Sequence, residues 1–164
     1  MPFVFNSILG LIVHSLKSTN EESGDFCLGK KYSKSFGKKL KTEDVNTVPE
    51  IFFDFKNVGS KIADCVEIVT KQIRAIYEAF ESQRKYKIYG SSLLMAYDAS
   101  AIKQYEDGKI DQKELENFVN VKLIDFAHVF PADGEKDENF IKGLENLLSL
   151  FEDFYKQISS VPDN

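Results

Sequence analysis

The sequence predicts an α+β domain, and three observations carry that prediction. From Ser60 to Arg84, the residues Ile62, Val66, Val69, Ile73, Ile76, Tyr77 and Phe80 recur at spacings of three and four, as on a helix with one face in a core. Asn139 to Ile158 repeats the pattern with Phe140, Leu144, Leu147, Leu148, Phe151, Phe154 and Tyr155, and reads as a closing helix. Between them lie two strand-like segments: Tyr86 to Tyr97 (YKIYGSSLLMAY), read as one buried strand, and Phe118 to Phe126 (FVNVKLIDF), read as its partner. The polar, acidic stretch Asp98 to Asn117 is expected to join them as a long loop.

The earlier elements follow in order. Ile8 to Val13 is a β-branched run that reads as the first strand, Ser18 to Gly24 (STNEESG) is rich in turn formers, and Asp25 to Tyr32 resumes as the second strand of a hairpin. A polar stretch then runs to Pro49, with Thr42, Glu43 and Asp44 suited to a helix start. The apolar opening, Met1 to Leu16, lacks a basic n-region and a small-residue cleavage site. It is shorter than the ~20 residues that span a bilayer, and Asn6, Ser7 and His14 interrupt it. The expectation is a fold that begins on a strand, with no leader and no lobe ahead of it.

A chain of 164 residues with 43% hydrophobic and 29% charged residues has the profile of one folded domain, here residues 1–164, and excludes a disordered or fibrous class. At this size roughly 70% of the unfolded surface can be buried, so neither a disulfide nor a structural metal is required. Cys27 and Cys65 lie far apart and form no CxxC pair, which fits a reducing compartment, cytoplasmic or nuclear. Net charge is −5, yet Lys30, Lys31, Lys34, Lys38, Lys39 and Lys41 fall between Leu28 and Lys41 with no acid among them. Such segregation can steer a polyanion to one face, although a solvated lysine-rich loop gives the same pattern. No nucleic-acid or membrane partner is expected, and the oligomeric state is left open.

The chemistry concentrates in GSSLL, Gly90 to Leu94, and LIDFAH, Leu123 to His128. Paired strands would bring these blocks together. An Asp at the end of an apolar strand, followed by Phe and a small residue, resembles the metal-holding Asp-Phe-Gly turn of protein kinases. Asp125 is the natural carboxylate and Ser92 a hydroxyl on the neighbouring strand; an Asp that merely caps a strand-end turn gives the same local pattern. The run EDGKIDQKELENF imitates a calcium loop, but Lys103 and Tyr105 then occupy its first and third positions, where oxygen ligands from Asp or Asn are needed. Calcium binding is not expected.

The ordered blocks LGLIVHSL, GKKYSKSF, RAIYEAFESQRKYKIYGSSLLMAYD, LIDFAHVF and GLENLL resemble the C-terminal half of the inositol polyphosphate kinase family, especially its hexakisphosphate kinase and multikinase branches, from about Leu9 to about Phe151. The resemblance implies the C-terminal lobe of a protein-kinase-like fold, with the N-terminal lobe absent. It implies an ATP-dependent kinase acting on an inositol phosphate, with ATP and Mg²⁺ as cofactors. By it, Asp125 and Ser92 are metal ligands that position ATP, His128 lies where the family contacts inositol phosphate, and Lys30 and Lys34 match basic substrate-binding positions, although Gly29 and Lys31 depart from that block.

The family's PxxxDxKxG motif, which carries its catalytic Asp, has no match here, so no catalytic residue is assigned. PEIFFDFKNVG contains Asp54 and Lys56, but four residues separate Pro49 from Asp54 where the motif has three, and the string follows the LGLIVHSL block rather than preceding it. It is read as coincidence. A truncated, non-catalytic remnant that binds inositol phosphates or a partner protein is the alternative.

Overall fold

The computed structural model describes residues 14–17, 27–31, 39, 42–53 and 61–160, with 14–17, 27–31 and 42–43 described as backbone. The expected first strand, Ile8 to Val13, lies outside these residues; the first described strand, β1, is His14–Lys17. It pairs antiparallel with β2, Cys27–Lys31, which lies inside the Asp25 to Tyr32 segment read as a hairpin's second strand. A 3-10 turn over Thr42–Thr47 leads into a short helix α1, Val48–Phe52, whose Pro49 sits in the first turn, where a missing N–H leaves no bond unmade.

The long helix α2, Ile62–Ser82, forms where the three- and four-residue spacing ran, and buries Ile62, Cys65, Val66, Ile68, Val69 and Ile73. The closing helix α5, Glu138–Ser159, packs against it with Phe140, Leu144, Leu147, Leu148, Phe151 and Phe154 buried. Phe80 and Phe140 meet at 4.5 Å between ring centroids, and an Arg74–Glu152 ion pair crosses the outside of the helix pair. Phe53, just past α1, is fully buried, stacks on Phe154 at 6.4 Å and meets Phe151 edge-on. The PEIFF part of the motif-like string is thus core: Phe52 and Phe53 are both buried. Asp54 and Lys56 lie outside the described residues.

The expected single strand Tyr86 to Tyr97 is two strands. Gly90 breaks it with φ +69°, a left-handed conformation natural to glycine, so that β3, Tyr86–Tyr89, and β4, Ser92–Tyr97, take different partners. β4 pairs antiparallel with β5, Val119–Ile124, in the register Ser92↔Ile124 through Tyr97↔Val119. β3 pairs with β6, His128–Pro131, in the register Tyr86↔Pro131 through Tyr89↔His128. The buried strand expected here is buried only in part: Ile88 joins the core, while Tyr86 and Tyr89 are exposed.

Asp98 to Asn117 is not a loop. It contains α3, Ala99–Glu106, and α4, Gln112–Leu115, followed by a 3-10 turn at Glu116–Phe118. Capping makes helices of this polar text. The Asp98 carboxylate accepts from Ser100 N at 2.8 Å, and Asp111 and Glu114 form a reciprocal capping box. Asp111 and Glu114 belong to the calcium-like run, whose Asp107 is likewise engaged, with Lys109 at 2.9 Å. Few apolar residues anchor the segment, but Ala101, Ile102 and Leu115 are buried.

Two polar side chains lock sheet to helices. The Gln72 amide donates to Val119 O and accepts from Val121 N, both at 2.8 Å, so a helix side chain supplies the pairing that the free edge of β5 lacks. Asp137, buried at the start of α5, accepts from Phe140 N at 3.2 Å as the helix cap and from Ile88 N at 2.7 Å, tying β3 to α5. Among the described residues no helix is long and apolar enough to cross a membrane.

Candidate nucleotide and inositol phosphate site

Side chains alternate across a strand, so the two faces of the β4–β5 pair differ. Leu93, Met95 and Tyr97 pack on the core, opposite Leu123, Val121 and Val119. Ser92, Leu94 and Ala96 share the other face with Ile124, Lys122 and Asn120. That face is open: Leu94 is 52% and Ile124 39% exposed, and Phe126, beyond the strand end, is 57% exposed.

Asp125 follows the last rung of this ladder and is exposed. Its φ is +63°, a left-handed conformation uncommon outside glycine. Here β5 leaves β4, and three residues later the chain enters β6, so Asp125 sits at the junction of the two ribbons. Its Oδ1 accepts a long bond from Ala127 N at 3.4 Å.

The sequence-predicted residues are brought together in part. Ser92 lies on the paired strand, but its register partner is Ile124, one residue short of Asp125. The serine that bonds Asp125 is Ser91, whose hydroxyl donates to the Asp125 carbonyl oxygen at 2.7 Å. Ser91 was not singled out, although strand alternation marks it: two residues before Leu93, it falls on the core side. His128 opens β6 opposite Tyr89 and is exposed, three residues from Asp125. Lys30 is placed as backbone in β2, and its side chain, like all of Lys34, lies outside the described residues, as does the convergence expected of Lys30, Lys34 and His128.

The donor set decides what cation could sit here. Among the described residues no three His, Cys, Asp or Glu side chains cluster as metal ligands, which leaves no all-protein cage of the kind structural zinc requires. One exposed carboxylate with a hydroxyl on the adjoining strand fits a hard divalent cation that keeps waters and takes its remaining oxygens from phosphate. Cys65, on α2, is fully buried. Burial, with the Asp64 and Glu106 charges, pushes its thiol up to about 12, away from reactivity.

The profile of the inositol polyphosphate kinase family matches residues 6–152. The chain is 36% identical over 91 residues to an inositol polyphosphate multikinase of Oryza sativa subsp. indica, which covers 56% of this chain and 29% of that protein. It is 29% identical over 141 residues to the human inositol hexakisphosphate kinase 3, covering 73% of this chain and 33% of that one. In structure it is similar to the inositol phosphate multikinase of S. cerevisiae crystallised with ADP and Mn²⁺, with a TM-score of 0.64 and 22% identity over 94% of this chain and 59% of that chain. This likeness places the mixed helix-and-sheet fold. The chain thus spans about a third of the length of these curated relatives.

Proposed function

The chain belongs to the inositol polyphosphate kinase family, and from that premise we propose that it carries the metal-binding, nucleotide-phosphate and inositol phosphate contacts of an ATP-dependent inositol phosphate kinase. The observation that carries the reading is Asp125, an exposed carboxylate held in a left-handed conformation at the junction of two ribbons, beside the open face that bears Ser92. Asp125 would hold Mg²⁺, with the Ser92 hydroxyl as second ligand. Bound there, the cation supplies neutralisation of charge on the ATP phosphates.

The chain's own residues do the rest of the work by position. Leu94, Ile124 and Phe126 offer an apolar bed beside the carboxylate, suited to a planar base whose phosphates reach the metal. His128, with Lys30 and Lys34, would grip the polyanionic substrate through charge-assisted hydrogen bonds. The location implied is cytoplasmic or nuclear. The hexakisphosphate kinase and multikinase branches are both compatible, and DFAH at Asp125 to His128 favours them over a branch with DFGK at that place.

A second reading has its own observation. No PxxxDxKxG string, the motif that carries the family's catalytic Asp, occurs among these 164 residues, so by themselves they would bind an inositol phosphate without turning it over. Losing one electrostatic donor commonly removes ~2.7–4 kcal/mol of transition-state stabilisation, so binding is expected to outlast turnover. Incubating the purified chain with labelled ATP, Mg²⁺ and a panel of inositol phosphates, with Asp125→Asn as control, separates the readings. Turnover abolished by Asp125→Asn supports a kinase, and inositol phosphate binding without turnover supports the remnant. Neither binding nor turnover contradicts both.

A further inference from the structure

The two serines of the GSSLL block point to opposite faces of the sheet. Ser92 joins the open face, whereas Ser91 is 4% exposed. A buried hydroxyl requires a hydrogen-bond partner, and Ser91 takes the Asp125 carbonyl oxygen, at 2.7 Å. The last backbone rung of the β4–β5 ladder is Ser92↔Ile124. The Ser91 bond is therefore a side-chain rung one step beyond it, placed where β5 leaves its partner.

Asp125 gains from such a rung. At φ +63° a non-glycine residue is disfavoured, Asp less than most, and it persists where its surroundings fix it. Its own carboxylate helps little, since the bond from Ala127 N is long at 3.4 Å. Relaxation of Asp125 to negative φ would swing the carbonyl away from Ser91 and re-aim the carboxylate. Ser91 is well placed to resist this, because it is buried immediately before the paired strand β4.

We propose that Ser91 is a positioning residue for Asp125: its hydroxyl holds the Asp125 backbone left-handed and so aims the carboxylate at the cation. The proposal rests on the reading of Asp125 as a metal ligand. A merely structural hydroxyl would, when removed, lower stability and leave the metal affinity of the folded protein unchanged.

The test titrates Mn²⁺, in the presence of ADP, into the full chain and follows free Mn²⁺ by electron paramagnetic resonance, with thermal unfolding of each metal-free variant alongside. Ser91→Ala is expected to weaken Mn²⁺ binding about tenfold, the usual scale for groups that orient a ligand from behind. Ser91→Thr, which keeps the hydroxyl, should recover most of the loss, and Asp125→Asn should abolish binding. If Ser91→Ala fails to fold, Ser91→Cys, similar in size and a weak donor, takes its place with the same expectation. Wild-type Mn²⁺ affinity in Ser91→Ala or Ser91→Cys, together with lost affinity in Asp125→Asn, overturns the proposal alone. Unchanged affinity in Asp125→Asn, or no saturable binding by the unsubstituted chain, overturns the metal reading beneath it.

Discussion

Removing the Asp137 carboxylate should loosen the ribbon that carries His128 and destabilise the whole domain. Asp137 is 2% exposed and serves two backbone donors at once, Phe140 N in the first turn of α5 and Ile88 N in β3. Asp137→Ala removes a helix cap, costing about 0.5–2 kcal/mol. It also leaves Ile88 N buried without its acceptor, costing about 1–3 kcal/mol. Together these give about 1.5–5 kcal/mol, which lowers the melting temperature of a domain this size by roughly 3–20 °C. Asp137→Asn keeps one acceptor oxygen and should lose about half as much. Calorimetry with urea unfolding measures both variants. A shift under about 1 °C for Asp137→Ala would refute the argument that this one carboxylate joins β3 to α5.

Three further outcomes follow from the packing and the charge pattern. Phe53→Ala empties a fully buried site bordered by Phe52, Tyr97, Phe151 and Phe154 and should cost about 3–5 kcal/mol in urea unfolding; a loss under about 1 kcal/mol would contradict the core described. Alkaline pH should destabilise the fold, since burial raises the Cys65 thiol from 9.0 to about 12 and a hydrogen bond to Asp64 raises the Tyr105 hydroxyl from 10.0 to about 12. Both groups are held neutral in the fold, so their contribution is complete below about pH 9 and is lost as pH rises toward 12; melting temperatures that stay level from pH 8 to 11 would contradict it. A Lys30→Ala, Lys34→Ala double variant should bind inositol hexakisphosphate more weakly, and wild-type binding should fall with salt because exposed charges are screened beyond about 8–10 Å at physiological ionic strength; calorimetric titration showing unchanged affinity would favour a solvated loop.

What the sequence made legible, and what it hid, divides along physical lines. The helices Ile62–Ser82 and Glu138–Ser159 lay within about two residues of their expected bounds, because a long amphipathic period registers burial directly. The β4–β5 pairing was legible because Tyr86 to Tyr97 is apolar and aromatic enough to read as a buried strand and the alternating run Phe118 to Phe126 as its partner. The division at Gly90 was not, because one glycine inside an apolar run gives no sign that its two sides pair with different strands. Helices α3 and α4 were hidden by their polarity; their signals were the caps Asp98 and the Asp111–Glu114 box, not hydrophobic period. At the site, residue types pointed to Asp125, but the left-handed backbone and its Ser91 support are tertiary facts that no dipeptide announces.

We propose that a divalent cation with nucleotide phosphates binds at Asp125, between the open β4–β5 face and the start of β6. Nitrogen-15 amide spectra of the full chain, recorded as Mn²⁺ and ADP are added in small proportion, test it directly, because a paramagnetic ion broadens only amides near it. Broadening is expected to begin at Ser92 and at Asp125 to His128, and to disappear in Asp125→Asn. Broadening that begins instead at the acidic stretch Asp107 to Glu114, or that survives Asp125→Asn, would contradict it.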